Sequence, residues 1–157
     1  MPLLLAALVG ALTACGGGAP AANPQVDRET IQGRLAAYTR ALATGDGEAA
    51  CAAYTPALRA SFDRRAAAGG LGACPAALRV AGQNLVRALP KRRRNEILSA
   101  LIDPGSVRVD LRGDRATAGY DPREVGSATQ QVAVERVEGL WKISALGVRP
   151  GAPPAAP

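Results

Sequence analysis

Val107-Arg108-Val109-Asp110-Leu111-Arg112-Gly113-Asp114-Arg115-Ala116-Thr117-Ala118 alternates apolar and polar side chains and breaks at Gly113-Asp114. A period of two puts Val107, Val109 and Leu111 on one face and Arg108, Asp110 and Arg112 on the other, which is the pattern of a half-buried strand. Gly113-Asp114 then reads as a hairpin turn into a second strand ending at Tyr120. Beyond a loop at residues 121–126, two longer strands are expected at residues 128–137 and 140–146, turning at Glu138-Gly139. Asp103-Pro104-Gly105 is the breaker that precedes this half, and upstream of it the apolar period is helical. Helices first and strands afterwards predict an α+β fold, with N-terminal helices packed on one face of an antiparallel sheet.

The helical half is punctuated by its caps. Asn23-Pro24 suits the start of a helix whose Ile31, Leu35, Tyr38 and Leu42 recur at spacings of 4, 3 and 4. Thr44-Gly45-Asp46-Gly47 stops it, and Asp46 is placed to cap a short second helix through Cys51 toward Tyr54. A third helix is expected from Thr55-Pro56 to Gly69-Gly70. Pro75 opens a fourth, with Leu78, Ala81, Leu85 and Leu89 as its apolar face. A short amphipathic fifth helix carries Ile97, Leu98, Leu101 and Ile102 behind a first turn made basic by Lys91, Arg92, Arg93 and Arg94.

That basic run is the densest charge in the chain, and cations are misplaced at a helix N-terminus. It reads either as a solvated face or as a contact for a polyanion such as lipid headgroups or wall polymer. No aromatic residue lies within it to stack a base, so nucleic acid is not expected as a partner. The net charge of +6 has a second source: arginine outnumbers lysine 17 to 2 and alanine supplies 34 of 157 residues, the bias of a high-GC genome. The basic balance therefore carries only part of its usual weight as a sign of a polyanionic partner.

Histidine is absent. Ser-His-Asp and Cys-His catalysis, the two-histidine zinc helix and imidazole pH switches are thereby excluded, and neither a cofactor nor a metal site is expected. With 48% hydrophobic residues over 157 positions, the chain can fill one modest core.

Residues 3–12 form a continuous apolar run, too short for the roughly 20 residues of a transmembrane helix and of the length of a secretory h-region. Leu12-Thr13-Ala14-Cys15 resembles the bacterial lipobox position by position. The resemblance implies a signal peptide over residues 1–14 and a Cys15 whose sulfur takes a diacylglycerol thioether, becoming the first residue of a lipoprotein that carries palmitate-type chains. Two chains give stable anchoring where one gives marginal binding, so the expected address is the extracytoplasmic face of the cell membrane, within the cell envelope. An ordinary secretory signal ending near Cys15 is the alternative. The n-region lacks Lys and Arg, so a start upstream of Met1 is expected. Residues 16–23 have the composition of a tether reaching at most roughly 28 Å, at about 3.5 Å per residue. The folded domain is then expected over residues 24–149, followed by a Pro/Ala-rich tail at 150–157.

In an exported chain, Cys51 and Cys74 form an even pair whose default state is a disulfide tying the second helix to the start of the fourth. A catalytic thiol is the alternative, without a histidine to activate it.

The order of elements resembles the nuclear transport factor 2-like superfamily, a cone-shaped (cystatin-like) α+β fold that includes SnoaL-like proteins and many bacterial lipoproteins. The resemblance spans about residues 24–148. It rests on Tyr38-Thr39-Arg40-Ala41-Leu42-Ala43-Thr44-Gly45-Asp46, on residues 107–118 with Gly113-Asp114-Arg115-Ala116, and on Gly139-Leu140-Trp141-Lys142-Ile143 in the last strand. It implies a pocket between the helices and a curved sheet, with Trp141 as a packing residue. Two functions follow as expectations. The first is a non-catalytic module that binds a small apolar ligand or an envelope protein, with an accessory subunit of an envelope complex as its structural variant. The alternative is a SnoaL-like isomerase or dehydratase drawing an acid and a base from Tyr38, Tyr54, Asp63, Asp110 and Tyr120. No spacing singles out a pair among these five, and Asp110 lies on the solvent phase of its strand.

Overall fold

In a computed structural model of the chain, residues 23–120 and 131–148 are described. The expected signal peptide, Cys15, the tether, the loop at 121–126, the start of the third strand at 128–130 and the tail lie outside the described residues. Among the described residues the architecture is α+β: helices α1 (Pro24–Thr44), α2 (Gly47–Ala52), α3 (Pro56–Ala68), α4 (Cys74–Ala88) and α5 (Arg94–Ile102), a 3-10 turn at Pro104–Ser106, then strands β1 (Val107–Arg112), β2 (Arg115–Tyr120), β3 (Gln131–Val137) and β4 (Leu140–Val148) in one antiparallel sheet of order β1-β2-β3-β4.

The caps do what their residue types allow. Helix α1 (Pro24–Thr44) starts where the Asn23 side chain accepts the Gln25 N–H, and stops at Gly45 in the left-handed region (φ 75°). Asp46 caps α2 (Gly47–Ala52) by accepting the Ala49 N–H at 3.0 Å, and Thr55 caps α3 (Pro56–Ala68) by accepting the Leu58 N–H at 3.2 Å. Helix α4 (Cys74–Ala88) lacks a cap of its own and borrows one: Asp63 on α3 accepts the Cys74 N–H at 2.6 Å.

Helix α1 packs against α2, α4 and α5 and also against β1, β2 and β4, so it forms the spine between the helical layer and the sheet. Its expected face is buried at Ile31, Leu35 and Tyr38 and half-buried at Leu42. The expected face of α4 is buried at Leu78 and Leu89 and half-buried at Leu85, and it departs at one position. Ala81 is exposed and Gly82 is buried, because α4 crosses α1 so closely that a Cβ on Gly82 would overlap the carbonyl of Leu42. Gly47 makes the matching approach of α2 to the carbonyl of Pro75. Apolar periodicity cannot show this, since a glycine at a helix crossing carries no hydropathy. Helix α5 (Arg94–Ile102) also starts later than expected, and Lys91, Arg92 and Arg93 form the turn ahead of it. The misplaced cations are largely kept out of its first turn, consistent with the dipole argument.

The strand half follows the alternation. Strands β1 (Val107–Arg112) and β2 (Arg115–Tyr120) pair with Val107, Val109 and Leu111 opposite Tyr120, Ala118 and Ala116. Strands β3 (Gln131–Val137) and β4 (Leu140–Val148) turn at Glu138 and Gly139, both at positive φ (50° and 78°), as a two-residue hairpin requires. The free edge of β4 is partly covered: Ile143 exchanges main-chain hydrogen bonds of 2.8 Å with Ala53 and Thr55, on either side of a parallel bridge at Tyr54.

Candidate binding site

Between α1, the end of α2 and the β3–β4 hairpin lies a cavity of about 210 Å³. Ile31, Leu35, Val134, Trp141 and Ile143 make its apolar lining, together with Ala52 and Ala53. Leu140, Arg34 and Lys142 complete the wall. Leu140 is 48% exposed, an open apolar residue at this wall.

Trp141 is clamped from two sides. Its indole N–H donates to Asp27 Oδ1 at 3.1 Å, and the Arg136 guanidinium lies 4.7 Å over the ring. Arg136 Nη2 stands 2.6 Å from Asp27 Oδ2 as an ion pair, and its Nε donates to Asp114 Oδ1 at 3.0 Å. The Arg136 guanidinium beside it, and then the indole N–H, hold the Asp27 carboxyl below its ordinary value of 3.8. Asp27 and Arg136 escape a reading by periodicity, although a signal exists. Asp27 sits four residues before Ile31 on the buried face of α1, and Arg136 and Trp141 are equidistant from the Glu138-Gly139 turn, hence cross-strand partners. The sequence expectation of Trp141 as a packing residue thus gains a polar half: the indole is buried, and its one donor is satisfied.

The candidate acid and base residues are placed elsewhere, and none lines this cavity. Tyr38 and Tyr54 are buried in the core and share a hydroxyl–hydroxyl hydrogen bond of 2.9 Å. Desolvation raises the pKa of both phenols. Tyr120 hydrogen-bonds the Thr39 hydroxyl at 2.7 Å, and burial pushes its pKa up to about 12. Asp63 is occupied in capping α4. Asp110 is exposed and paired with Arg112 at 2.8 Å. These groups therefore serve as the polar joints of the core and surface.

Cys51 and Cys74 meet as a disulfide with Cα atoms 6.1 Å apart, both fully buried, and the bridge ties α2 to the first residue of α4. The basic run is divided by its surroundings. Lys91 and Arg92 are exposed, Arg93 is held by Glu96 at 3.0 Å, and Arg94 is half-buried as the first residue of α5. Among the described residues no cluster of side chains suits a metal ion, and no helix is long and apolar enough to cross a membrane.

The fold and site define an α+β domain with a small, largely apolar cavity under a clamped tryptophan. No known family, no characterised protein and no solved structure matches the chain.

Proposed function

We propose that this protein is an exported lipoprotein, held by a diacylglycerol on Cys15 at the extracytoplasmic face of the cell membrane, whose domain binds a small apolar ligand without transforming it. The observation that carries the reading is the cavity beside Trp141: it is lined mainly by apolar side chains, while the candidate acid and base groups are engaged elsewhere. We assign the domain to the cone-shaped nuclear transport factor 2-like fold. This is supported by the order of elements and by a cavity between the leading helix and the sheet. The lipobox at Leu12-Thr13-Ala14-Cys15 supports the address.

The test is a native intact mass of the protein purified from its own membrane in mild detergent. The expected species carries acyl chains on Cys15, the mass deficit of one disulfide and a retained small molecule, and Cys15→Ala is expected to release the chain from the membrane. An unlipidated, membrane-retained Cys15→Ala protein would overturn the address. An empty cavity with a stoichiometric protein partner would overturn the ligand reading in favour of an accessory subunit.

A further inference from the structure

The positive charge of the chain is concentrated in one stretch. Residues 64–95 hold eight of the 19 cations and none of the 13 acids, a charge of +8, while the rest of the chain sums to −2. A codon bias raises arginine throughout a chain and does not empty one stretch of acids, so this segment is a basic surface in its own right. Arg64, Arg65, Arg79, Arg87, Lys91, Arg92 and Arg93 are exposed, and Arg94 is half-buried. Some of them are compensated by their surroundings. Arg93 pairs with Glu96, the stem of Arg79 passes Gly45 beside Asp46, and Arg64 and Arg65 directly follow Asp63 at the other end of α4. At the C-terminal end of α4 this compensation stops. Among the described residues Arg87, Lys91 and Arg92 take part in no ion pair, and the Nε of the neighbouring Arg94 is buried without an acceptor.

We infer that the end of α4 and the turn after it seat on a phospholipid bilayer with anionic headgroups, Arg87, Lys91 and Arg92 meeting the phosphates. The setting, a domain tethered within roughly 28 Å of the lipid, rests on the lipoprotein reading above. Helix α4 packs inward on α1, α2 and α3. Its outward residues Val80, Asn84 and Arg87 recur at spacings of 4 and 3, and Lys91 follows four residues later in the turn. This stripe carries an exposed apolar side chain and two cations without an acid, which suits a bilayer surface; a soluble polyanion would use the charges alone. Residues 64–95 contain no aromatic side chain on which a base could stack, so nucleic acid fits less well. Close to an anionic bilayer each Lys or Arg adds about fivefold to partition, within a Debye length of about 8 Å. Three such residues together supply on the order of 100-fold.

The full chain carrying Cys15→Ala, which lacks the anchor, is floated with vesicles of phosphatidylcholine alone and of equal parts phosphatidylcholine and phosphatidylglycerol. The apolar run at residues 3–12 is common to every sample, so the preference for the anionic vesicles isolates the charge. That preference is expected to be on the order of 100-fold at low salt, to shrink as salt rises, and to be largely lost in Arg87→Gln/Lys91→Gln/Arg92→Gln. Arg28→Gln/Arg40→Gln/Arg59→Gln removes the same charge from exposed positions outside the stretch and is expected to keep most of it. All six positions are exposed, and a circular dichroism melt checks that both variants fold. Equal binding to the two kinds of vesicle overturns the surface. Equal losses in the two triple variants overturn it as well, in favour of net charge alone. Tighter binding of soluble polyphosphate than of anionic vesicles at equal phosphate, through the same three residues, overturns the bilayer in favour of an envelope polymer. Because the floated chain is unlipidated, a native mass without acyl chains would overturn the lipoprotein address and leave the vesicle result to stand or fall separately.

Discussion

Two glycines in helices offer a paired test of the packing. By intrinsic helix propensity both Gly33→Ala in α1 and Gly82→Ala in α4 should stabilise the protein by about 0.8–1 kcal/mol. The structure separates them. A Cβ on Gly33 meets no atom within 4 Å, so Gly33→Ala keeps the full gain. A Cβ on Gly82 runs into the main-chain carbonyl of Leu42, which cannot swing aside as a side chain would, so α1 and α4 must part. Overpacking of this kind costs typically about 1–3 kcal/mol, and a backbone obstacle belongs at the upper end. Set against the propensity gain, Gly82→Ala is expected to destabilise by about 1–2 kcal/mol. Equilibrium urea unfolding reads both. With a slope of about 1–3 kcal/mol per molar, the midpoint should rise for Gly33→Ala and fall by several tenths of a molar or more for Gly82→Ala. A Gly82→Ala protein at least as stable as the parent would refute the close crossing of α1 and α4, and with it the placement of the spine helix.

The Cys51–Cys74 bridge closes a separation of 23 residues, for which loop entropy gives about 3.4 kcal/mol; the Cys51→Ala/Cys74→Ala protein should lose about that in urea unfolding, and a loss under about 1 kcal/mol would show that the bridge does not constrain the unfolded chain. Before reduction, neither thiol should react with an alkylating reagent. All three tyrosines are buried, with folded-state pKa values raised by desolvation and that of Tyr120 pushed up to about 12. The unfolded chain ionises first, so stability is intact below about pH 10 and falls above it. Tyrosinate absorbance should therefore appear together with loss of the circular dichroism signal; phenols titrating near their ordinary value in a folded protein would contradict their burial. Asp27 has the opposite sign: its carboxyl is held below its ordinary 3.8, so its contribution is present above that pH and is lost as pH falls through the lowered value. Asp27→Asn should flatten the acid limb of the stability curve and loosen Trp141, seen as a fall in its fluorescence anisotropy; an unchanged acid limb would remove the clamp from the account.

Much of this architecture is local and so was written in the order of residues. The caps at Asn23, Asp46 and Thr55, the alternation from Val107 to Leu111 and the turn at Glu138-Gly139 each act within a few positions, where periodicity and turn chemistry suffice. The even cysteine pair likewise named the bridge between α2 and α4. What tertiary structure alone decided involves groups far apart in the chain. The burial of Gly82 where Ala81 was expected depends on its meeting Leu42, and the fate of Asp63 on a helix start eleven residues away. The tyrosines and Asp110 were plausible as acid or base only while their neighbours were unknown, because a side chain's chemistry depends on solvation and partners. A pocket between helices and sheet was implied only by the family resemblance, and no residue pattern marks its place: its wall is assembled from α1, the end of α2 and the β3–β4 hairpin. The clamp on Trp141 joins α1 to β4 across 114 residues, a distance that burial of the shared core spans and no local pattern records.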